Sequence, residues 1–290
     1  MRRLPHPQFK VDGETMNDPT KILVHNERAG SGEVPMELFT GFHEVELREL
    51  EGFIAKAPGE ILVAVWGGDG TCRSVASLAV DQSVTVLPCP GGTHNHFAKA
   101  AGFTSLETVA RSLLHPTSKL IDVGLVNNEV FLNNLSIGWY VDLVTRRERY
   151  EKRMHRRLAK ITSVLAQLFF MRRLRITLDG EQERVWLVWV GNGAFSTTPL
   201  ALPERESLET KALDIRLLRA GSRFPKLKAL VVVLSGKAEQ SPAVERRLAT
   251  SCVIEFATKT VHATLDGELI ELSGPLRIGT ARSLRIVNSD

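Results

Sequence analysis

Three short stretches combine glycines with side-chain oxygens in ways that could hold a phosphate. Residues 66–71 read WGGDGT, residues 90–97 read PGGTHNHF, and residues 26–32 read NERAGSG. Glycine has no Cβ, so the backbone turns sharply there and a ligand can come close. A helix that follows such a loop presents unpaired N–H groups to an anion. Asp69 is out of place beside a phosphate unless a metal or a hydroxyl lies between them, and Mg2+ favours carboxylate and phosphate oxygens together. Taken alone, GGDG stands evenly between a phosphate site and a tight turn whose aspartate caps a helix. The other two loops shift that balance, because three such loops in one region are hard to assign to chance turns. A fourth stretch, LDGE at 265–268, reads on its own as a hairpin turn, since Asp-Gly is a strong turn dipeptide. The same four letters recur at 178–181 and are read there as a turn only.

The elements that must position these loops are legible around them. KILVHN (21–26), EILVAVW (60–66) and SVTVLPCP (83–90) are short apolar runs, each followed by one of the glycine loops. CRSVASLAV has apolar positions at helical spacing, GGTHNHFAKAAGF opens a helix, and SLETVARSLLH is a further helix with Ser105 as N-cap. Strand, loop and helix alternate, which predicts an α/β layer with a mainly parallel sheet. Such sheets bind ligands beyond the carboxyl ends of their strands, where all three loops sit. From Lys119 onward the pattern changes to short strands and hairpins, with turns at Asn127–Asn128 and Asp179–Gly180. The expected organisation is a flexible arm at 1–20, an α/β domain at 21–118, and a β-rich domain at 119–290. Helices are expected inside the last domain near 142–173 and 224–237, and its last residues can return to the first domain.

Composition narrows the class. The 290 residues are 43% hydrophobic and 24% charged, ordinary for a soluble globular protein. No apolar run approaches a membrane span, and the Arg-containing N-terminus lacks the apolar segment of a secretory signal. The three cysteines, Cys72, Cys89 and Cys252, form no C-x-x-C pair, which suits a reduced, cytoplasmic protein. A net charge of +4 suits an anionic substrate, a nucleotide or an anionic membrane. No zinc-finger spacing, helix-turn-helix signature or aromatic-basic strand points to nucleic acid.

GGDGT followed by PGGTHNHFAK resembles the catalytic domain of diacylglycerol kinases, shared by bacterial lipid kinases and sphingosine kinases. The resemblance continues through NNEVFLNNLSIGW, the basic stretch after it, VGNG, and LDGELIEL, and so covers nearly the whole chain from Lys21. GGDGT alone is also similar to NAD kinases and phosphofructokinases. The resemblance implies a three-layer α/β nucleotide-binding domain, a mainly antiparallel β-sandwich domain, and an active site in the cleft between them. It implies ATP and Mg2+ as cofactors and the hydroxyl of a diacylglycerol-like or other long-chain lipid alcohol as acceptor. Asn26, Gly30 and Gly32 would lie near the nucleotide; Gly67, Gly68, Asp69, Gly70 and Thr71 would hold phosphates, with Asp69 organising Mg2+. Gly92, Thr93 and Asn95 match the second nucleotide loop, and Asp266, Gly267 and Glu268 match a late D-G-E element whose aspartate is the candidate base. Asp69 and Asp266 both remain open as the proton acceptor. On this reading Asp69→Ala abolishes turnover and leaves the fold intact.

Three departures qualify that expectation. His94 replaces a glycine of the second loop, and His96 an aspartate. After VGNG, the family's Asp-Gly-x-Leu-Asp segment, tied in some bacterial members to a structural Mg2+, is here ETKALD: Leu213 and Asp214 stay and the preceding Asp-Gly is lost. A nucleotide-binding protein without turnover is therefore the second reading, and a kinase of a soluble substrate such as NAD the third. Residues 146–175 are dense in arginine and lysine, with an apolar stripe at Leu158, Ile161, Leu165 and Leu168. The stripe suits packing on the β domain. The basic face suits transient contact with anionic lipid, each cation near the surface adding about 1 kcal/mol. Oligomerisation through an edge strand is also open.

Overall fold

The computed structural model describes residues 9–11, 14–16, 19–26, 33–114, 116–138, 173–196, 205–220 and 244–289. Gly30, Gly32, most of the basic stretch, and the helix expected near 224–237 lie outside the described residues. The chain divides into two compact units, residues 1–123 with 282–290, and residues 124–281.

The first unit contains β1 (Phe9–Val11), β2 (Glu14–Met16), β3 (Thr20–His25), β4 (His43–Glu44), α1 (Leu47–Ile54), β5 (Ile61–Gly67), α2 (Asp69–Ala79), β6 (Val84–Pro90), α3 (His96–Ala100), α4 (Leu106–Leu114) and most of β7 (Thr117–Val126). β4, β3, β5 and β6 lie side by side and all pair in parallel. Every residue of β5 is buried, which explains its unbroken apolar sequence: a parallel strand covered on both faces has no polar side to show. α2 buries Thr71, Cys72, Val75, Ala76 and Ala79, a stripe at helical spacing. α4 starts on a reciprocal cap, as its sequence suggests. Thr108 N–H donates to Ser105 Oγ, and Ser105 N–H donates to Thr108 Oγ1, both at 3.3 Å.

The second unit continues with β8 (Glu129–Phe131), β9 (Asn134–Gly138), β10 (Leu174–Leu178), β11 (Glu181–Asn192), β12 (Leu213–Arg219), β13 (Val244–Ala249), β14 (Ser251–Phe256), β15 (Thr260–Leu265), β16 (Glu268–Ser273) and the first half of β17 (Leu276–Val287). Leu174 and Arg175, read from sequence as the end of a basic stretch, open β10. The pairings are antiparallel. One run is β13, β12, β11, β9, β15, β16; the other is β11, β10, β14, β17. β11 belongs to both, because a bulge between Val185 and Leu187 divides its pairing between β10 and β9. Both runs face one core that includes Leu135, Ile137, Val188, Ile215, Ile254 and Leu265. The last residues of β17 belong to the first unit, where Arg285 and Ile286 pair in parallel with Thr85 and Val86 of β6.

Candidate active site

The two central glycine loops of the first unit pack backbone against backbone. A Cβ on Gly92 would come 2.3 Å from Gly68 Cα, and one on Gly91 would come 2.8 Å from Gly67 N. A Cβ on Gly67 would come 2.7 Å from Thr71 Cβ. Gly91 and Gly92 are therefore required by the fit of the loops to each other, and Gly67 by the Thr71 side chain of its own loop. Gly68 differs. Its nearest atom would be Gly92 Cα at 3.9 Å, an ordinary contact, and its φ of −83° suits any residue. The open side of the pair is at Gly68.

Asp69 locks the loops together. Its carboxylate, at the first turn of α2, accepts the N–H of Phe97 at 2.8 Å and that of His96 at 3.1 Å. Of the two readings of GGDG, these bonds show the capping one, except that the helix Asp69 caps is α3 and not its own. Asp69→Ala removes this brace, so the expectation that it leaves the fold untouched is corrected. Asn95 braces the second loop from within. It sits in the left-handed region at φ 56°, where asparagine is tolerated. Its Oδ1 accepts Gly92 N–H and its Nδ2 donates to Gly92 O, each at 2.7 Å. Gly92 thus turns its amide to Asn95. Thr93, His94 and His96 stay exposed, with the two imidazoles stacked at 5.5 Å. Asn26, at the end of β3, donates to the buried Thr71 Oγ1 at 3.3 Å, which joins the first strand end to the same cluster.

In the second unit, LDGE is a two-residue turn between β15 and β16. Asp266 and Gly267 both have positive φ, 50° and 88°, the signature of the primed turns that fit the twist of a hairpin. The copy at 178–181 has the same form, with Asp179 at 50° and Gly180 at 88°. The two turns differ in what the aspartate holds. Asp179 accepts one amide, Val253 N–H at 2.8 Å. Among the described residues, Asp266 accepts three amides: Asn133 at 2.7 Å and Asn134 at 3.0 Å on Oδ1, and Leu132 at 2.8 Å on Oδ2. Three successive N–H groups around one carboxylate favour its anionic form. Glu268 opens β16 and is exposed.

Asp214 is fully buried on β12. Arg216 and Arg246 each grip it with Nε at 3.1 Å and with Nη2 at 2.7 and 2.9 Å, and Phe195 N–H adds a bond at 3.2 Å. Two guanidinium groups already supply the positive charge. A metal would have to displace both, so the expectation of Mg2+ at Asp214 is corrected: the residues there do not fit it. Breaking such a buried pair by removing one partner costs about 3–5 kcal/mol. Nothing in the order of residues in ETKALD announces this clamp, because Arg246 comes from β13 and meets Asp214 only through strand pairing. Among the described residues, no three His, Cys, Asp or Glu side chains converge as a metal cage. Mg2+ in phosphoryl-transfer sites needs only one or two carboxylates beside the phosphates, and Asp69, a hard oxygen ligand at the end of β5, fits that role in kind.

The loops and their order recur elsewhere. Residues 22–126 match the diacylglycerol kinase catalytic domain. Within the matched segment lie both clamped glycine loops, Asp69 and Asn26. A protein of Pseudomonas aeruginosa (strain UCBPP-PA14) named probable lipid kinase YegS-like is 39% identical over 89 residues, 29% of each chain. One of Pseudomonas putida (strain KT2440) with the same name is 28% identical over 174 residues, 57% of this chain and 58% of its own. The chain thus spans less than two thirds of these two curated relatives. A crystal structure of a diacylglycerol kinase from Bacillus anthracis str. Sterne shares the fold, with a TM-score of 0.61 at 20% identity, covering 94% of this chain and 98% of that one.

Proposed function

We propose that the chain is an ATP- and Mg2+-dependent kinase of a diacylglycerol-like or other long-chain lipid alcohol. The observation that carries the proposal is the brace at Asp69: one carboxylate joins the start of α2 to the start of α3 and so holds two glycine loops as a single cradle. Phosphoryl transfer asks little covalent chemistry of a protein and much positioning, which a rigid cradle supplies. In this reading Gly68, Gly70 and Thr93 stand closest to the phosphates. Asn26, Thr71, Gly67, Gly92 and Asn95 hold the cradle in shape. Bound Mg2+ would neutralise charge on the transferring group, with Asp69 as its protein oxygen. The names of the curated relatives support a lipid as the acceptor.

A second reading, nucleotide binding without turnover, is favoured by Asp266. A carboxylate already held by three amides is a weak proton acceptor. Radiolabelled ATP offered with a total lipid extract, and separately with NAD, distinguishes the readings. Labelled lipid is expected. ATP binding with no labelled lipid establishes the second reading, and labelled NADP a soluble acceptor.

A further inference from the structure

Thr264 is fully buried on β15, and its Oγ1 has no hydrogen-bond partner among the described residues. A buried hydroxyl without a partner costs about 1–3 kcal/mol, so a strand that carries threonine where valine would fit calls for a reason. Ala263 and Leu265 point into the core of the second unit, and strand alternation sends Thr264 to the opposite face. Ser136 of β9 lies directly across from it and is 1% exposed. Its neighbours Leu135 and Ile137 also point into the core, so Ser136 shares the face of Thr264. Directly paired residues have Cβ atoms about 4.5–5.5 Å apart, which sets the two hydroxyls side by side. Ser136 Oγ reaches Asn134 Oδ1 at 3.5 Å, the outer limit of a hydrogen bond.

The flanks of this pair are apolar. Across from Ser136 on β11 stands Trp189, and across from Thr264 on β16 stands Leu269. The row is therefore indole, hydroxyl, hydroxyl, isobutyl. Two neutral hydroxyls between apolar groups suit a neutral oxygen on an otherwise apolar molecule. The next residue in the row, Arg216, lies over the Trp189 ring at 5.1 Å and is already committed to Asp214, so a phosphate or carboxylate at the hydroxyls would remain poorly compensated. The row also lies one step from Asp266, two residues beyond Thr264, and from Asn134, two residues before Ser136.

We infer that Ser136 and Thr264 form a polar rung that binds an acyl-ester oxygen of a neutral lipid. The inference rests on the lipid-kinase reading above, and it names where in the second unit an ester-bearing lipid is told from a plain long-chain alcohol.

The test uses the full chain with Thr264→Val, Ser136→Ala and, as conservative control, Thr264→Ser. The probes are dioctanoylglycerol, which carries ester oxygens, and decanol, which does not. Binding of radiolabelled dioctanoylglycerol without ATP is measured beside KM and kcat. Thr264→Val and Ser136→Ala are expected to raise Kd and KM for dioctanoylglycerol about three- to tenfold. They should leave kcat and the KM for ATP and decanol unchanged, and Thr264→Ser should behave as the parent. Unchanged Kd and KM in both variants, with a parent that binds the lipid, overturn the rung alone. If Thr264→Val lowers the unfolding midpoint with lipid affinity intact, the hydroxyl holds an ordered water only, and the rung falls. A parent that neither binds nor phosphorylates either probe overturns the lipid-kinase reading itself.

Discussion

Gly68 and Gly92 look alike in sequence, each inside a glycine pair, yet they answer different demands. Gly92 is glycine because the backbone of Gly68 occupies the place of its Cβ. Gly68 has room for a Cβ and ordinary backbone angles. Gly92→Ala should therefore destabilise the chain by about 1–3 kcal/mol, as overpacking does. Gly68→Ala should stay within about 1 kcal/mol, the loss expected at a helix N-cap. If phosphate approaches on the open side, Gly68→Ala should weaken ATP binding at least about tenfold despite its near-normal stability. Urea unfolding and calorimetric titration of both variants decide this, and normal ATP affinity in Gly68→Ala would place the nucleotide elsewhere. The presence of the loops was legible in their glycines. Which glycine serves the fold and which stands open was not, because that depends on a contact between positions on different strands. The same holds for Asp69, whose partners at His96 and Phe97 arrive through the packing of α3 beside α2.

At the scale of elements, one device recurs in three hairpins. Asn127, Asp179 and Asp266 each have positive φ at the first turn position. Each donates its own N–H to a carbonyl of a neighbouring segment: to Arg277, Val253 and Asn134 respectively. Each then accepts that same residue's N–H on a side-chain oxygen. The turn residue thus behaves as one more rung of the ladder, with its side chain standing in for a carbonyl. Asp179 carries only this role. Asp179→Ala should lower stability by about 1–2 kcal/mol, from the lost bond and from alanine in the left-handed region, and leave the proposed phosphotransfer unchanged. A stability equal to the parent in urea would show that the device contributes nothing. The hairpins themselves were legible from Asn-Asn and Asp-Gly. The extra donors at Asp266 were not, since Leu132 to Asn134 reach it from a distant part of the sequence. The two copies of LDGE show the limit: identical letters make identical turns, and only the tertiary surroundings separate them.

At the scale of the molecule, the cysteines and β17 reach furthest. All three thiols are buried, and burial, with Asp179 nearby, pushes Cys252 up to about 12. Burial likewise pushes the Cys89 thiol up. Both remain protonated at neutral pH. The alternation of strand and helix up to α4 made the parallel sheet legible, and hairpin spacing did the same for the antiparallel part. The partner of β6 was harder to read, because parallel pairing leaves no turn in the sequence to mark it. Leu284 and Ile286 are fully buried there. A chain ending at Ala281 lacks that strand and should lose amide-exchange protection along β6, at 84–90. Protection equal to that of the full chain would show that the added strand is dispensable.

β17 also sets an order of events during synthesis. The first unit holds the glycine loops ahead of the second unit in sequence, yet its sheet receives residues 282–287 only after all of 124–281 has left the ribosome. Until then β6 keeps an unpaired, apolar edge, the kind of surface that invites pairing with other chains. The first unit can therefore finish folding only after residues 282–287 have been made, and the intervening unit must fold, or be shielded by a chaperone, while that edge waits.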